Sequence, residues 1–213
     1  MKSIADLRQD YSKSSLEVAN VLPDPVEQFE KWFQEALQAG VPEPNAMNLA
    51  TVNEQGQPSA RIVLLKGVEA KQFLFFTNYQ SHKGLLLEKN PACALTFFWP
   101  ELERQVRIEG ITQRLDAQTS EAYFQSRPRG SQIGAWASPQ SSVIESRTII
   151  EERVQQLEKR FDGMTVLPKP HQWGGYGVIP SLIEFWQGRP SRLHDRIVYT
   201  RIDGQWKIHR LAP

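Results

Sequence analysis

A single cysteine, Cys93, in 213 residues means that no disulfide can close within this chain. Charge of one sign is also missing: 25 Lys and Arg against 24 Asp and Glu leave a formal net charge of +1. No overall field then draws the protein to nucleic acid or an anionic membrane, so any anion site must be local. Long apolar runs are absent. The longest, such as IVLL and FLFF, are far too short to cross a bilayer. The start, MKSIADLRQDYSKSS, lacks the apolar core of a signal peptide. These absences lead us to expect a cytoplasmic protein with neither a membrane nor a nucleic-acid partner. Cys93 lies in the apolar run ACALTFF and reads as a buried core thiol, not as a nucleophile.

Familiar chemical signatures are missing too. The four histidines, at 82, 171, 194 and 209, show no ligand spacing, so no metal is expected. WGGYG, 173–177, is not the GxGxxG of a dinucleotide fold, and neither GxSxG nor a P-loop occurs. Dehydrogenase, serine hydrolase and NTPase chemistry lose their support.

What is present is a succession of strands. The first twenty residues are polar and expected to be mobile. Asp24-Pro25-Val26-Glu27 then reads as a capped helix start, with Val26, Phe29, Phe33, Ala36 and Leu37 at helical spacing before Gly40. AMNLATV and SARIVLLK form a hairpin about NEQGQ. QFLFFTN, ACALTFFW and RQVRIEGITQRL are further strands, with a short helix in SHKGLLLEKN. DAQTSEAYFQSR and SRTIIEERVQQLEKRF read as helices joined by a polar, Gly-containing connection. LIEFWQG and RLHDRIVYTR are strands, and Asp203-Gly204 turns the latter back into QWKIHRL. Hairpin order with inserted helices implies a mainly β fold, an antiparallel barrel with α-helical additions. No repeat or linker divides the chain, so one domain over 1–213 is expected.

Short cationic groupings stand at the ends of these strands. Arg61 and Lys66 bracket IVLL. Thr77, Ser81, His82 and Lys83 lie where a strand passes into a helix, a place where free backbone N–H groups favour phosphate. Arg127 and Arg129 flank Pro128, with Ser131 just beyond. In RLHDR, 192–196, an extended backbone puts Arg192, His194 and Arg196 on one face, which demands an anion opposite. The plainer alternative is a surface ion pair with Asp195. Each grouping alone is an ordinary solvated face. Together, in a chain of almost no net charge, they suggest a pocket for more than one phosphate, and residue-by-residue reading ends at a binder of phosphorylated small molecules.

RIVLLK, FFTNYQSHK, ERQVRIEG, YFQSRPRGSQIGAWAS, QSS, IEFWQG and RLHDR with the ending RLAP follow in that order. Over nearly the whole chain, from about Leu7, this series resembles the pyridoxamine 5'-phosphate oxidase family. The resemblance implies an FMN-binding split β-barrel, working as a homodimer with two sites in the subunit interface. It implies oxidation of pyridoxine or pyridoxamine 5'-phosphate to pyridoxal 5'-phosphate, with electrons passing to FMN and then to O2 to give hydrogen peroxide. By position, Arg61, Ile62, Val63, Leu64 and Lys66 would form the FMN strand, and Phe76, Thr77, His82 and Lys83 would hold its phosphate and ribityl chain. Gln105, Gln140, Ser141, Trp186 and Arg196 would complete the cofactor site. Lys66, Tyr123, Arg127 and Ser131 would cradle the substrate phosphate, with Arg192 and His194 beside the substrate ring. Arg8 and Tyr11 match an N-terminal segment that folds over the substrate.

The chain departs from the family pattern at His82, commonly Arg, and at Phe76, commonly Tyr. A histidine is charged only part of the time near neutrality, so its grip on phosphate is weaker. Rival readings are a flavin reductase using a nicotinamide cofactor and a pyridoxal phosphate carrier without turnover. An RNA-binding barrel fits the near-neutral charge poorly.

Overall fold

The structure, a computed structural model, describes residues 3–7 and 10–213. Helix α1, Pro25–Gln38, starts where the Asp24 carboxylate accepts the N–H groups of Val26 and Glu27. Its buried face is Val26, Phe29, Trp32 and Ala36. Leu37, expected in that stripe, is exposed, and Phe33 is only partly buried. Trp32 takes over, meeting Phe185 edge-on at 5.1 Å, while Phe29 meets Phe73 at 4.9 Å.

Among the described residues nine strands form one antiparallel sheet: β1 Ala46–Val52, β2 Pro58–Leu64, β3 Gly67–Glu69, β4 Gln72–Asn78, β5 Ala92–Trp99, β6 Arg104–Arg114, β7 Trp173–Gln187, β8 Asp195–Ile202 and β9 Gln205–Leu211. The sheet order is β2-β1-β5-β6-β7-β4-β3, with β8 on β7 and β9 on β8. β7 explains how the sheet curls into a half-barrel. Along one edge its first part pairs with β4, Trp173 opposite Asn78, and its last part pairs with β8, Gln187 opposite Asp195. Between them, opposite Pro180, the ladder to β6 shifts register at Glu109/Gly110. A proline has no N–H to give the ladder, and a bulge there bends the strands.

β7 is also longer than its sequence suggests. WGGYG belongs to it, whereas only LIEFWQG reads as a strand. The glycines are there for close approach: a Cβ on Gly174 would lie 2.1 Å from the Tyr79 hydroxyl, and one on Gly175 would lie 2.7 Å from the Phe76 ring. A second correction concerns the connection after α3, Ala117–Ser126, which contains a helix of its own: α4 spans Arg129–Ala137 and precedes α5, Thr148–Arg160. The remaining helix, α2, His82–Lys89, starts at Ser81, whose hydroxyl accepts from the Gly84 N–H.

One face of the sheet, with Leu49, Leu95, Val106, Ile108, Ile183 and Phe185, packs with α1 into the main core. Cys93 is part of that core, and burial pushes its thiol up to about 12. No helix among the described residues is long and apolar enough to cross a membrane.

Candidate active site

Two clusters of polar side chains stand out. The first lines a cavity of about 590 Å³, within the usual range for small-molecule sites, between the β2 edge, β4, α3 and α4. Ile62, Val63, Leu64 and Lys66 give one wall, and Phe76, Tyr123 and Trp173 give another as a ring stack. The Phe76 and Tyr123 centroids are 3.9 Å apart. Lys66, Lys83 and Arg127 line this space, and among the described residues no carboxylate does. Among the described residues Lys83 donates to neutral oxygens only: Thr77 Oγ1 and Gln140 Oε1, each at 3.1 Å, and Ser81 Oγ at 3.4 Å. Burial, with the Arg61 guanidinium nearby, lowers its pKa. Arg127 lies over the Trp173 ring at 4.7 Å. Its Nη1 is buried with no hydrogen-bond partner among the described residues, and burial lowers its pKa as well. Cations gathered without a counter-charge make an anion site. Ser131 lines the same cavity.

Arg61 stands behind this wall. Its guanidinium donates to Leu49 O, Thr51 Oγ1 and Ser59 Oγ at 2.7–3.0 Å, which ties down β2. His82 is exposed at the start of α2 and does not line the cavity. Ser141, exposed and at φ 72°, follows the lining residue Gln140 without lining the cavity itself. Arg129 turns away, donating to the carbonyls of Met164 and Phe161.

The second cluster lies about the far end of β7. Gln105, Trp186 and Arg196 are register partners across β6, β7 and β8. Arg196 grips Glu184 with two parallel contacts, Nε to Oε1 at 2.7 Å and Nη2 to Oε2 at 3.1 Å. That ion pair raises its pKa. The His194 ring is 4.5 Å from Trp186, and Tyr11 stands edge-on to Trp186 at 5.7 Å. Tyr11, Arg189, Arg192 and His194 line a second cavity of about 560 Å³. His194 Nδ1 accepts the Arg189 backbone N–H at 3.1 Å. The neutral ring therefore carries its proton on Nε2 and offers a donor there. Burial, then the charge of Arg192, lowers the His194 pKa and favours that neutral form.

RLHDR is not one extended face. Pro190–Arg192 is a short 3-10 turn with Arg192 at φ 63°, and β8 begins only at Asp195. Arg192 and His194 thus precede the strand that carries Arg196. The anion opposite Arg196 is the Glu184 carboxylate, and Asp195 pairs with Arg210 at 2.7 Å.

Residues 33–161 match the family model described as pyridoxamine 5'-phosphate oxidase. Residues 173–213 match the pyridoxine 5'-phosphate oxidase C-terminal dimerisation region. The chain belongs to the pyridoxamine 5'-phosphate oxidase family. A pyridoxine/pyridoxamine 5'-phosphate oxidase of Burkholderia thailandensis is 57% identical over 216 residues, covering 100% of both chains. One of Burkholderia mallei matches to the same extent. Among solved structures, PhzG from Burkholderia lata, in complex with tetrahydrophenazine-1-carboxylic acid, superposes with a TM-score of 0.89 at 26% identity, covering 96% of this chain and 100% of that one. A pyridoxamine 5'-phosphate oxidase-related, FMN binding protein of Nostoc punctiforme has a TM-score of 0.71 at 18% identity, covering 87% and 97%, and speaks for the fold alone.

The pyridoxamine 5'-phosphate oxidase family is one of oxidoreductases, and so is this chain. Of the residues expected in its site, Arg8 lies outside the described residues. Sequence reading missed Trp173, Glu184 and Arg189. Trp173 sits among glycines that hid its strand, and Glu184 shows its role only through its cross-strand position beside Arg196.

Proposed function

We propose that the protein oxidises pyridoxamine and pyridoxine 5'-phosphate to pyridoxal 5'-phosphate, with FMN as cofactor and O2 as acceptor, giving hydrogen peroxide. The observation that carries this reading is the carboxylate-free cavity, where Lys66, Lys83 and a partnerless Arg127 nitrogen converge beside an aromatic wall. These residues suit FMN and a phosphorylated substrate. Ile62 and Leu64, 67% and 36% exposed, provide apolar surface for a flat ring. Thr77, Lys83 and Gln140 supply polar contacts for a phosphate and ribityl chain. FMN supplies the redox chemistry when bound. Arg127 offers phosphate a planar fork, Lys66 a mobile point charge, and Tyr123 and Ser131 neutral hydrogen bonds. Arg192 and the His194 Nε2–H orient the substrate ring.

The two cavities have no lining residue in common. A homodimer reconciles them: one protomer supplies the phosphate cavity, and its partner brings the cluster of Gln105, Trp186, Arg192, His194 and Arg196 against it. The match to a dimerisation region across 173–213, which carries all of that cluster but Gln105, supports this arrangement.

The test is the visible spectrum and peroxide output of the purified protein. It should be yellow, release FMN on acid precipitation, and form peroxide in air with either phosphorylated substrate. Reduction by NADPH but not by pyridoxamine 5'-phosphate would establish the reductase reading. Bleaching with neither would refute the proposal, and turnover of a tetrahydrophenazine carboxylate alone would point to chemistry on the kind of compound that PhzG binds.

A further inference from the structure

The seat of Tyr11 is built by residues to which no role in the site has been given. Glu103 is 2% exposed and holds a left-handed backbone, φ 53°, directly before β6. A buried carboxylate must be compensated. Among the described residues Glu103 makes no ion pair. Its Oε2 instead accepts two successive backbone N–H groups, Ser12 at 2.8 Å and Lys13 at 2.9 Å. The same short turn takes the Lys13 ammonium on the Glu101 carbonyl, at 2.6 Å. The backbone of Glu103 is fastened to the end of β7, where its carbonyl accepts the Gly188 N–H at 2.7 Å and the Gln187 side-chain amide at 3.2 Å. Gly188 is the other half of the seat. A Cβ there would lie 2.7 Å from Tyr11 Cβ and Cγ and 3.0 Å from Glu103 Cβ. A strap of backbone is thus clamped one residue after Tyr11, and the tyrosine ring packs against both Trp186, at 5.7 Å, and His194, at 6.0 Å.

We propose that Glu103 and Gly188 are positioning residues: together they seat the N-terminal strap so that Tyr11 closes the substrate pocket over His194 and Trp186. The proposal rests on the oxidase reading for the meaning of that pocket, but the seat itself can be tested without turnover. Glu103 acts through charge, and Gly188 acts by leaving room.

The experiment uses the FMN-loaded full chain and four variants: Glu103→Ala, Glu103→Gln, Gly188→Ala and Tyr11→Ala. Limited trypsin digestion reads how fast the bond after Lys13 is cut. Steady-state kinetics with pyridoxamine 5'-phosphate read KM and kcat separately. Loss of a charge-assisted contact corresponds to roughly ten-fold or more in an equilibrium constant. Cleavage after Lys13 should accelerate by about that factor in Glu103→Ala and Gly188→Ala. The KM should rise with kcat and bound FMN retained. Glu103→Gln keeps an acceptor oxygen and should fall between wild type and Glu103→Ala. Adding Tyr11→Ala to Glu103→Ala should cost little further, because the two changes remove one interaction.

Unchanged protection of Lys13 in both Glu103→Ala and Gly188→Ala overturns the seat, as does full additivity with Tyr11→Ala. Should Gly188→Ala fail to fold, the two Glu103 variants decide alone. Faster cleavage in a protein that never oxidises pyridoxamine 5'-phosphate upholds the seat and sinks the oxidase reading instead.

Discussion

Removing the carboxylate of Glu184 tests the reading of the second cluster most directly. Its side chain is 4% exposed, between Arg196 at 27% and Arg107 at 40%. Glu184→Ala deletes the paired contacts to Arg196 at 2.7 and 3.1 Å and one to Arg107 at 3.1 Å. Counted as one charge-assisted contact, the paired bonds to Arg196 contribute about 1.5–3 kcal/mol. The Arg107 contact is discounted to under about 1 kcal/mol, because water screens that guanidinium. Both freed cations reach solvent, so neither is left as a stranded buried charge. The expected loss is about 2–4 kcal/mol. Arg196→Ala differs in kind: it leaves a buried carboxylate facing only Arg107 and should cost about 3–5 kcal/mol. Urea titration at one fixed protomer concentration measures both, since stability of a dimer depends on concentration. A loss below about 1 kcal/mol for Glu184→Ala, or a milder effect for Arg196→Ala, would refute the reasoning.

Other outcomes follow from the same geometry. Because burial and Arg192 both lower the His194 pKa, its NMR titration should have a midpoint below the ordinary 6.5. Removing Arg192 should move that midpoint up; a midpoint at or above 6.5 in the unaltered protein contradicts the assignment. With the folded value depressed, the unfolded chain binds more protons as pH falls through this window, so the contribution of His194 to stability declines toward acid. Lys83→Ala should weaken FMN binding by roughly ten-fold or more, measured by fluorescence titration of apoprotein. The exposed His82, replaced by Ala, should change that affinity less, and a larger effect than that of Lys83→Ala would return it to the phosphate site. Cys93, its thiol pushed up to about 12 by burial, should resist a thiol reagent in mild alkali until the protein is unfolded. Rapid labelling of the native protein would show that the core opens there.

Much of the fold was legible because its signals are local. The Asp24-Pro25 cap, the NEQGQ turn, the apolar run of β4 and the strand patterns of β1, β2, β5 and β6 announce themselves within a few residues. The cationic groupings, and the order of motifs that marks the family, were equally plain in the chain. Features that depend on distant partners were not. WGGYG looks like a loop because glycine has poor strand propensity, yet rings from β4 and the turn after it lie across that strand and leave no room for a Cβ. The short α4, with Gly130 and Gly134 inside it, has weak helix signals but supplies part of the cavity wall. RLHDR misled because alternation presumes an extended backbone, whereas the positive φ of Ser191 and Arg192 breaks it before β8. Composition and spacing therefore determined that local cationic groupings exist and where along the chain they lie. Which of them converge was decided by tertiary packing: α3 and α4 fold Arg127 toward Lys66 and Lys83, and the ladders of β6, β7 and β8 place Glu184 beside Arg196, and Trp186 beside Gln105, at separations in sequence that no local rule can see.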